Sequence, residues 1–381
     1  MTYPAEDVGG APRHRPHRII QWTTGWVGRS ALRYILDRPE FEVVGAKCHS
    51  PSKEGHDVAE LVRRLPIGVL ATRDESALLD LDADCVVFTP NDSTQRDPTI
   101  PGTLSHENFQ TALRILRSGK NVVSSLCPPT HFRHLADPDL FIREIEGACR
   151  AGSSSIHFTG VDPGFFTDAL AIALSSGVGR VDRIHTWEIL DYFAIPYSGG
   201  PLTSLFGRRL DELSEADQKR WIMEGWGGVP HLMADAFGQS LETIEVEFDY
   251  WLADEPYETP TGRHIDTGTI GAYVFSQHGV IGGRRIFTTT HVNRMGPHTG
   301  PGWPTVGHDG GYRIDIEGST PFQVEIALGN EGGRGSALAD AGEVTAARLV
   351  NCIVPLIHAM PGYQTFLDLG QITSHLGGPS A

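Results

Sequence analysis

Residues 18–29 read RIIQWTTGWVGR, and the folding of this stretch decides the architecture around it. Arg18 to Thr23 predicts a short buried strand carrying Ile19, Ile20 and Trp22. Thr23-Thr24-Gly25-Trp26-Val27-Gly28-Arg29 follows. Val27, Ala31, Leu32, Ile35 and Leu36 then recur at helical spacing. Pro39 closes that helix, and Phe41 to Cys48 predicts a second strand. Strand, glycine-bearing turn, amphipathic helix and strand together make the βαβ unit that binds dinucleotides. Such a unit needs glycine where the backbone approaches a pyrophosphate and where the helix packs closely on the strand. Gly25 and Gly28 fill these positions, and Thr23 replaces the first glycine of the usual fingerprint. The helix start after Gly25 offers free N–H groups and a positive dipole end to phosphates. Arg29 adds a charge. Residues Thr23, Thr24, Gly25, Trp26, Val27, Gly28 and Arg29 are therefore assigned to cofactor binding.

The end of the second strand discriminates between NAD and NADP. An acid about 20 residues on usually binds the ribose 2′-hydroxyl. The chain instead continues Ala46-Lys47-Cys48-His49-Ser50-Pro51-Ser52-Lys53. His49, Ser50 and Lys53 suit a 2′-phosphate. NADP(H) is favoured, with NAD(H) possible.

The same rhythm continues outward. Helices are expected near Asp57 to Arg64, Glu75 to Leu79, His106 to Arg117 and Phe141 to Arg150. They alternate with strands at Gly68 to Ala71, Asp84 to Thr89, Asn121 to Ser124 and Ser155 to Thr159. Helical crossovers between strands imply a parallel sheet covered on both faces, with ligands at its carboxyl edge. Beyond it, Val181 to Leu190, Thr243 to Trp251, Thr267 to Ser276, Ile286 to Asn293, Tyr312 to Glu317 and Phe322 to Ala327 predict strands of a largely antiparallel sheet. A helical insertion falls around Asp211 to Phe237. Gly342 to Met360 is helical, with Pro355 predicting a kink. The expected class is α/β: an N-terminal Rossmann parallel sheet plus an α+β C-terminal domain with a mainly antiparallel sheet. The expected divisions are a disordered lead-in at 1–16, a dinucleotide-binding domain at 17–163, a substrate and dimerisation domain at 164–340, and a helix and tail at 341–381 packing back on the first domain.

The 381 residues suffice for two domains. A net charge of -16 argues against a nucleic-acid partner, which would meet a basic stripe. No apolar run reaches membrane-span length, so no membrane partner is expected. Cys48, Cys85, Cys127, Cys149 and Cys352 are odd in number and scattered. They suggest neither a disulfide framework nor a zinc site, and a reducing cytoplasm is the expected compartment.

Asp84-Cys-Val-Val-Phe-Thr-Pro90, Gly102-Thr-Leu104 before a helix, and Ser118-Gly-Lys-Asn-Val-Val-Ser124 resemble the dihydrodipicolinate reductase fold. Thr159-Gly-Val-Asp-Pro-Gly-Phe165, Val350-Asn-Cys-Ile-Val-Pro355, Pro361-Gly-Tyr363 and Leu367-Asp-Leu369 resemble the branch holding 2,4-diaminopentanoate dehydrogenase and the native amine dehydrogenases. The resemblance spans most of the chain from Arg18 to Leu369. It implies that Thr89, Pro90 and Asn91 lie beside the nicotinamide, and by analogy that the protein is a homodimer. The chain lacks the His-His-x-x-Lys and acidic-Pro-Ser-Gly-Thr motifs of the true reductases. The resemblance also implies a proton-handling glutamate just after Asn121 to Ser124. Here the chain reads Ser125-Leu-Cys-Pro-Pro-Thr-His131, with no carboxylate. The family's Asn-Pro-Gly-Phe asparagine is Asp162.

Hydride transfer belongs to the cofactor, while the protein orients the substrate and moves a proton. Asp162, between a predicted strand and a helix, is one candidate acid, with a helix cap as its alternative role. His131, near the missing glutamate, is the other. Cys127, Tyr192 and Trp303 are assigned to a substrate pocket, and Tyr312 is a further aromatic candidate. His291, His298 and His308 lack metal-site spacing, so no metal is expected. These features point to an NAD(P)-dependent oxidoreductase acting on a small carbonyl or imine (ketone or amine) substrate. An amine dehydrogenase with a non-standard acid and a non-catalytic dinucleotide sensor are the alternatives.

Overall fold

The computed structural model describes residues 15–90, 107–126, 131–135, 137–194, 205–329 and 336–376. Strand β1 (His17–Trp22) and helix α1 (Trp26–Leu36) lead to β2 (Phe41–Lys47), as the opening stretch requires. The parallel sheet continues through β3 (Ala71–Thr72), β4 (Cys85–Phe88), β5 (Asn121–Ser124) and β6 (Ser155–Phe158). Alternate residues of β1 serve opposite faces. Ile19 joins a core with Ala31, Leu32 and Ile35 of α1. Ile20 and Trp22 join the other core. The second core is filled by α3 (Glu107–Arg117), which follows the short α2 (Glu75–Leu79), and by α4 (Pro138–Gly152). Both sheet faces are thus covered.

The helix expected at Asp57 to Arg64 does not form. Only a short 3-10 turn, Glu60–Val62, is present, and Arg63 ends it in the left-handed region at φ 60°. The Asp57 carboxylate accepts from the backbone N–H groups of Ala59 (2.9 Å), Ile67 (3.1 Å) and Gly68 (2.7 Å). A side chain that captures nearby backbone donors competes with a helix. The strand expected at Gly68 to Ala71 is displaced by the same turn to Ala71–Thr72.

Helix α5 (Ala169–Ser175) leads into the second sheet. Its strands are β7 (Val181–Asp191), β8 (Thr243–Leu252), β11 (Ile270–Ile281), β12 (Arg284–Arg294), β13 (Gly310–Gly318) and β14 (Phe322–Ala327), in the order β14-β13-β7-β12-β11-β8. A separate pair is formed by β9 (Tyr257–Glu258) and β10 (His264–Ile265). All pairings in the large sheet are antiparallel except β12 with β7. The helical insertion consists of α6 (Glu215–Trp226) and α7 (Gly228–Ala236). It packs with α5 on the inner face of this sheet, where Val229, Met233 and Ala171 meet Ile184, Phe287 and Ile314.

Helix α8 (Ala337–Ile357) returns to the first sheet, where Leu349, Val350, Ile353 and Leu356 enter the core beside α1. Pro355 lies in its last turn, so the one i→i−4 bond it removes disturbs only the end of the helix. Glu343 of α8 accepts from Ser30 (2.6 Å), Arg33 (2.7 Å) and Tyr34 (2.8 Å) of α1. Strand β15 (Gly362–Gln364) then pairs parallel with β6 and adds a seventh strand, giving the order β15-β6-β5-β4-β1-β2-β3. The short α9 (Phe366–Leu369) follows.

Gly28 fixes the approach of α1 to the sheet. A Cβ there would lie 2.4 Å from the Thr23 carbonyl oxygen and 2.8 Å from Thr89 Oγ1. Gly28→Ala is expected to destabilise the fold by about 1–3 kcal/mol through overpacking. Chemical denaturation of the variant beside the parent checks this.

Candidate active site

The turn after β1 is tied to the turn after β4. Thr23 takes φ 86°, the left-handed conformation that a glycine usually supplies here. Its Oγ1 donates to the Thr89 carbonyl at 2.5 Å and lies 2.9 Å from Thr89 Oγ1. Gln21 Nε2 donates to Thr23 O (3.0 Å), Thr89 Oγ1 (3.1 Å) and Val87 O (3.3 Å). This knot stands where the fingerprint glycine is missing. No side chain caps the start of α1, and a Cβ at the exposed Gly25 would meet nothing within 4 Å. The loop therefore offers unencumbered N–H groups to an anion, and a dinucleotide pyrophosphate fits it. Val27 is half-buried, and Trp26 reaches the core of the second sheet with Leu338.

Cations gather where β2 ends. Lys53 Nζ donates to the Thr24 carbonyl at 2.7 Å. Burial and the nearby Arg29 lower its pKa. Burial lowers the His49 pKa as well, with help from Lys47 and Arg73. Ser50 caps the turn Pro51–Lys53. Pro90 closes the described stretch after β4. Asn91 and Cys127 lie outside the described residues.

A second constellation lies where the loop after β6 meets the inner face of the second sheet. The loop is held by Val161 N–H donating to Thr345 Oγ1 of α8 at 3.1 Å. Gly164, at φ 126°, comes so close to Thr159 and Gly160 that a Cβ would lie 2.3 Å from Gly160 N. Asp168 caps α5 and accepts from Gly164 N–H at 2.8 Å. This folding turns the Asp162 side chain inward until none of it is solvent-exposed. Asp162 accepts from Thr167 Oγ1, from Trp226 Nε1 at 3.0 Å, and pairs with His291 Nε2.

Register brings Glu188 to the same place. Glu188 of β7 lies opposite His291 of β12 on one side and Tyr312 of β13 on the other. Residues directly opposite share a face. Tyr312 Oη donates to Glu188 Oε2 at 2.7 Å, and the Glu188 carboxyl approaches that of Asp162. Among the described residues, Asp162, Glu188 and His291 form a group whose potential ligand atoms lie within 4.8 Å of one another. Their contacts are those of groups sharing protons. Burial, then the Asp162 charge, raises the Glu188 pKa to about 7. Burial works against protonated His291, but the Asp162 charge and hydrogen bond and the Glu188 charge outweigh it, so its pKa is raised. Asp168 rises to about 6, chiefly by burial.

The sequence candidates separate. Asp162 is at the centre of this constellation and does not cap α5; Asp168 does. His131 pairs with Asp235 of α7 at 2.6 Å and stacks near His231. Among the described residues no hydrogen bond or ring contact joins it to the Asp162 group. Tyr192 is buried with Phe206 near Leu190. Trp303 packs over Ile189, Val292 and Val306. These neighbours alternate with Glu188 and His291 along their strands, so the sheet separates Trp303 from Asp162. Sequence reading missed Glu188, Thr167 and Trp226, and gave His291 no role. The available signal was an acid at Glu188 on the same strand face as Ile184 and Leu190.

The parallel sheet with its glycine-bearing turn, set against a second sheet that carries a buried cluster of titratable groups, has the build of an NAD(P)-dependent oxidoreductase. Comparison with known proteins is consistent with this. Residues 165–379 match the 2,4-diaminopentanoate dehydrogenase C-terminal domain family. An amine dehydrogenase of Streptomyces virginiae is 32% identical over 357 residues, covering 92% of this chain and 95% of its own. The solved amine dehydrogenase of Mycobacterium smegmatis superposes with a TM-score of 0.72 at 18% identity, covering 95% of this chain and 98% of its own. A probable dehydrogenase from Thermotoga maritima gives 0.51 at 15% identity, with 92% of each chain covered. The chain belongs to the family of 2,4-diaminopentanoate and amine dehydrogenases.

Glu188 and Asp168 hold their protons more tightly folded than unfolded, with ordinary values of 4.5 and 3.8 raised to about 7 and about 6. Their contribution to stability is full below pH 3.8, the lower of the ordinary values, and is lost as pH rises through the folded values. Buried His134 and His157, lowered by burial to about 3 and about 4, act oppositely below pH 6.5. The Glu188 part is isolated by Glu188→Gln. Between pH 5 and 8 the variant is expected to lose less melting temperature than the parent, as measured by calorimetry across that range.

Proposed function

We propose that this enzyme interconverts a small primary amine with its ketone or imine, using NADP(H), with Asp162 as the group that exchanges a proton with the substrate. One observation carries the reading: the carboxylate that the sequence lacks after β5 has a counterpart after β6, the next strand at the carboxyl edge of the parallel sheet. Oxidising a protonated amine to an iminium removes one hydride, which the bound dinucleotide accepts, and one proton, which a protein group must take. Asp162 is shielded from water and lies among hydrogen-bond donors. In that setting a carboxylate exchanges a proton with a bound ligand rather than with bulk solvent. The name of the Streptomyces virginiae relative supports an amine as the reduced substrate. A reductase acting on ketones alone is the second reading, favoured by the absence of a carboxylate between Ser125 and His131.

Asp162→Asn is expected to lower kcat by about 10²–10⁴-fold while the variant still melts cooperatively. Steady-state assays on a panel of ketones, with and without ammonium, check both points. NADPH consumption that needs ammonium and fails in the variant supports the reading. Consumption without ammonium favours the ketone reductase, and an unimpaired variant removes Asp162 from the chemistry.

The preference for NADP(H) rests on Lys53, Arg29, His49 and Ser50 at the end of β2. Two close cations without a neutralising acid favour a bound 2′-phosphate. Lys53→Ala is expected to raise KM for NADPH by about tenfold and to leave KM for NADH little changed. Parallel titrations with the two cofactors measure this. The proposal extends to a homodimer formed through the outer face of the second sheet, where His185, Trp187 and Val274 are half-buried.

A further inference from the structure

Glu188 is unusual for a carboxyl group in this molecule. It is 5% exposed on a central strand, among groups that oppose a second negative charge. The titratable groups that face it are Asp162 from the loop after β6, His291 from β12, Tyr312 from β13 and Tyr273 from β11. Asp168 stands behind Asp162, with Arg348 of α8 acting on it. Among the groups facing Glu188 only His291 can take a positive charge, and its Nε2 is committed to Asp162. The His291 ring is clamped: Phe275 stacks on it at 4.3 Å and Trp226 meets it at 5.1 Å. Its Nδ1 has no hydrogen-bond partner. His291 therefore has one polar contact to make, and it fixes the Asp162 carboxylate in place.

We propose that Glu188 is the proton store of this site, exchanging a proton with Asp162, while His291 is a positioning residue that holds Asp162 between Glu188 and the substrate. The proposal rests on the reading of Asp162 given above. In the oxidative direction an N–H bond of the substrate ammonium breaks and an O–H bond forms on Asp162. That O–H then breaks as one forms on ionised Glu188, and Asp162 is again a carboxylate. In the reductive direction protonated Glu188 returns the proton to Asp162, which passes it to the substrate nitrogen. No electrons move in either step, and the close approach of the two carboxyl groups, with oxygens within 4.8 Å of each other, is the path. Two adjacent carboxyl groups share a proton more readily than both ionise. The pair can therefore hold one proton near neutral pH without solvent access.

The consequence is a paired pH response. Below about pH 7 Glu188 is protonated and cannot receive; above it Glu188 is ionised and cannot give. In the parent enzyme, kcat for amine oxidation should rise with pH through this region and kcat for reduction should fall. Glu188→Gln should abolish both limbs and lower both rates at least tenfold. Tyr312→Phe removes a hydrogen bond that favours ionised Glu188, so both limbs should move to higher pH. This variant keeps the carboxyl and serves if Glu188→Gln does not fold. Difference infrared spectroscopy of the substrate-free protein gives a readout apart from turnover. A protonated-carboxyl band that titrates near pH 7 should be present in the parent and missing in Glu188→Gln, where only the Asp168 band, titrating near pH 6, remains. Limbs that persist in Glu188→Gln, or fail to move in Tyr312→Phe, overturn the proposal, as does a band titrating near pH 7 that survives in Glu188→Gln. If Asp162→Asn is inactive while Glu188→Gln keeps both limbs, the store fails and the role of Asp162 stands. If Asp162→Asn is fully active, that role fails, and the infrared band still reports whether Glu188 holds the proton.

Discussion

The contact between Asp162 and His291 joins the two halves of this molecule. One partner hangs from the carboxyl edge of the parallel sheet, and the other sits in the middle of the second sheet. Neither side chain has any exposed surface. A buried ion pair is a poor source of stability, because removing two charges from water costs about as much as their attraction returns. Its worth here is positional. Thr167, Trp226 and the Gly164 turn leave Asp162 one orientation, and ring stacking leaves His291 one orientation. The sheets are thereby set so that the loop after β6 faces the polar row Tyr312, Glu188, His291.

Much of the scaffold was legible because its signals are local. The opening βαβ unit follows from helical spacing after a short apolar strand, and Gly28 is required by contact with a residue five positions away. The strands of the second half follow from alternation between glycine- and proline-rich turns. Thr23 shows where a fingerprint misleads: the left-handed turn is kept without glycine, because Thr89 and Gln21 hold it through hydrogen bonds. Asp57 shows the reverse, an apolar helical spacing defeated by one carboxylate that captures three backbone donors.

The site was less legible, because it is made by register across a sheet. Asp162 stands out in its loop, but Glu188, His291 and Tyr312 meet only when β7 pairs with β12 and β13. A one-residue slip in either pairing would turn these side chains to opposite faces. His131 and Trp303 had the right chemistry and sequence neighbourhood. Asp235 claims the first, and the second lies beyond the sheet.

The first sheet takes its last pieces from beyond the second sheet in the chain. Leu349, Val350, Ile353 and Leu356 complete the core around Ile19, and β15 closes the edge beside β6. During synthesis the phosphate loop therefore emerges about 300 residues before the helix that buttresses α1. Until then the groove that α8 fills faces water with its apolar lining bare. The chain of the second sheet is accordingly inserted within that of the first, and without α8 neither sheet has its full apolar cover.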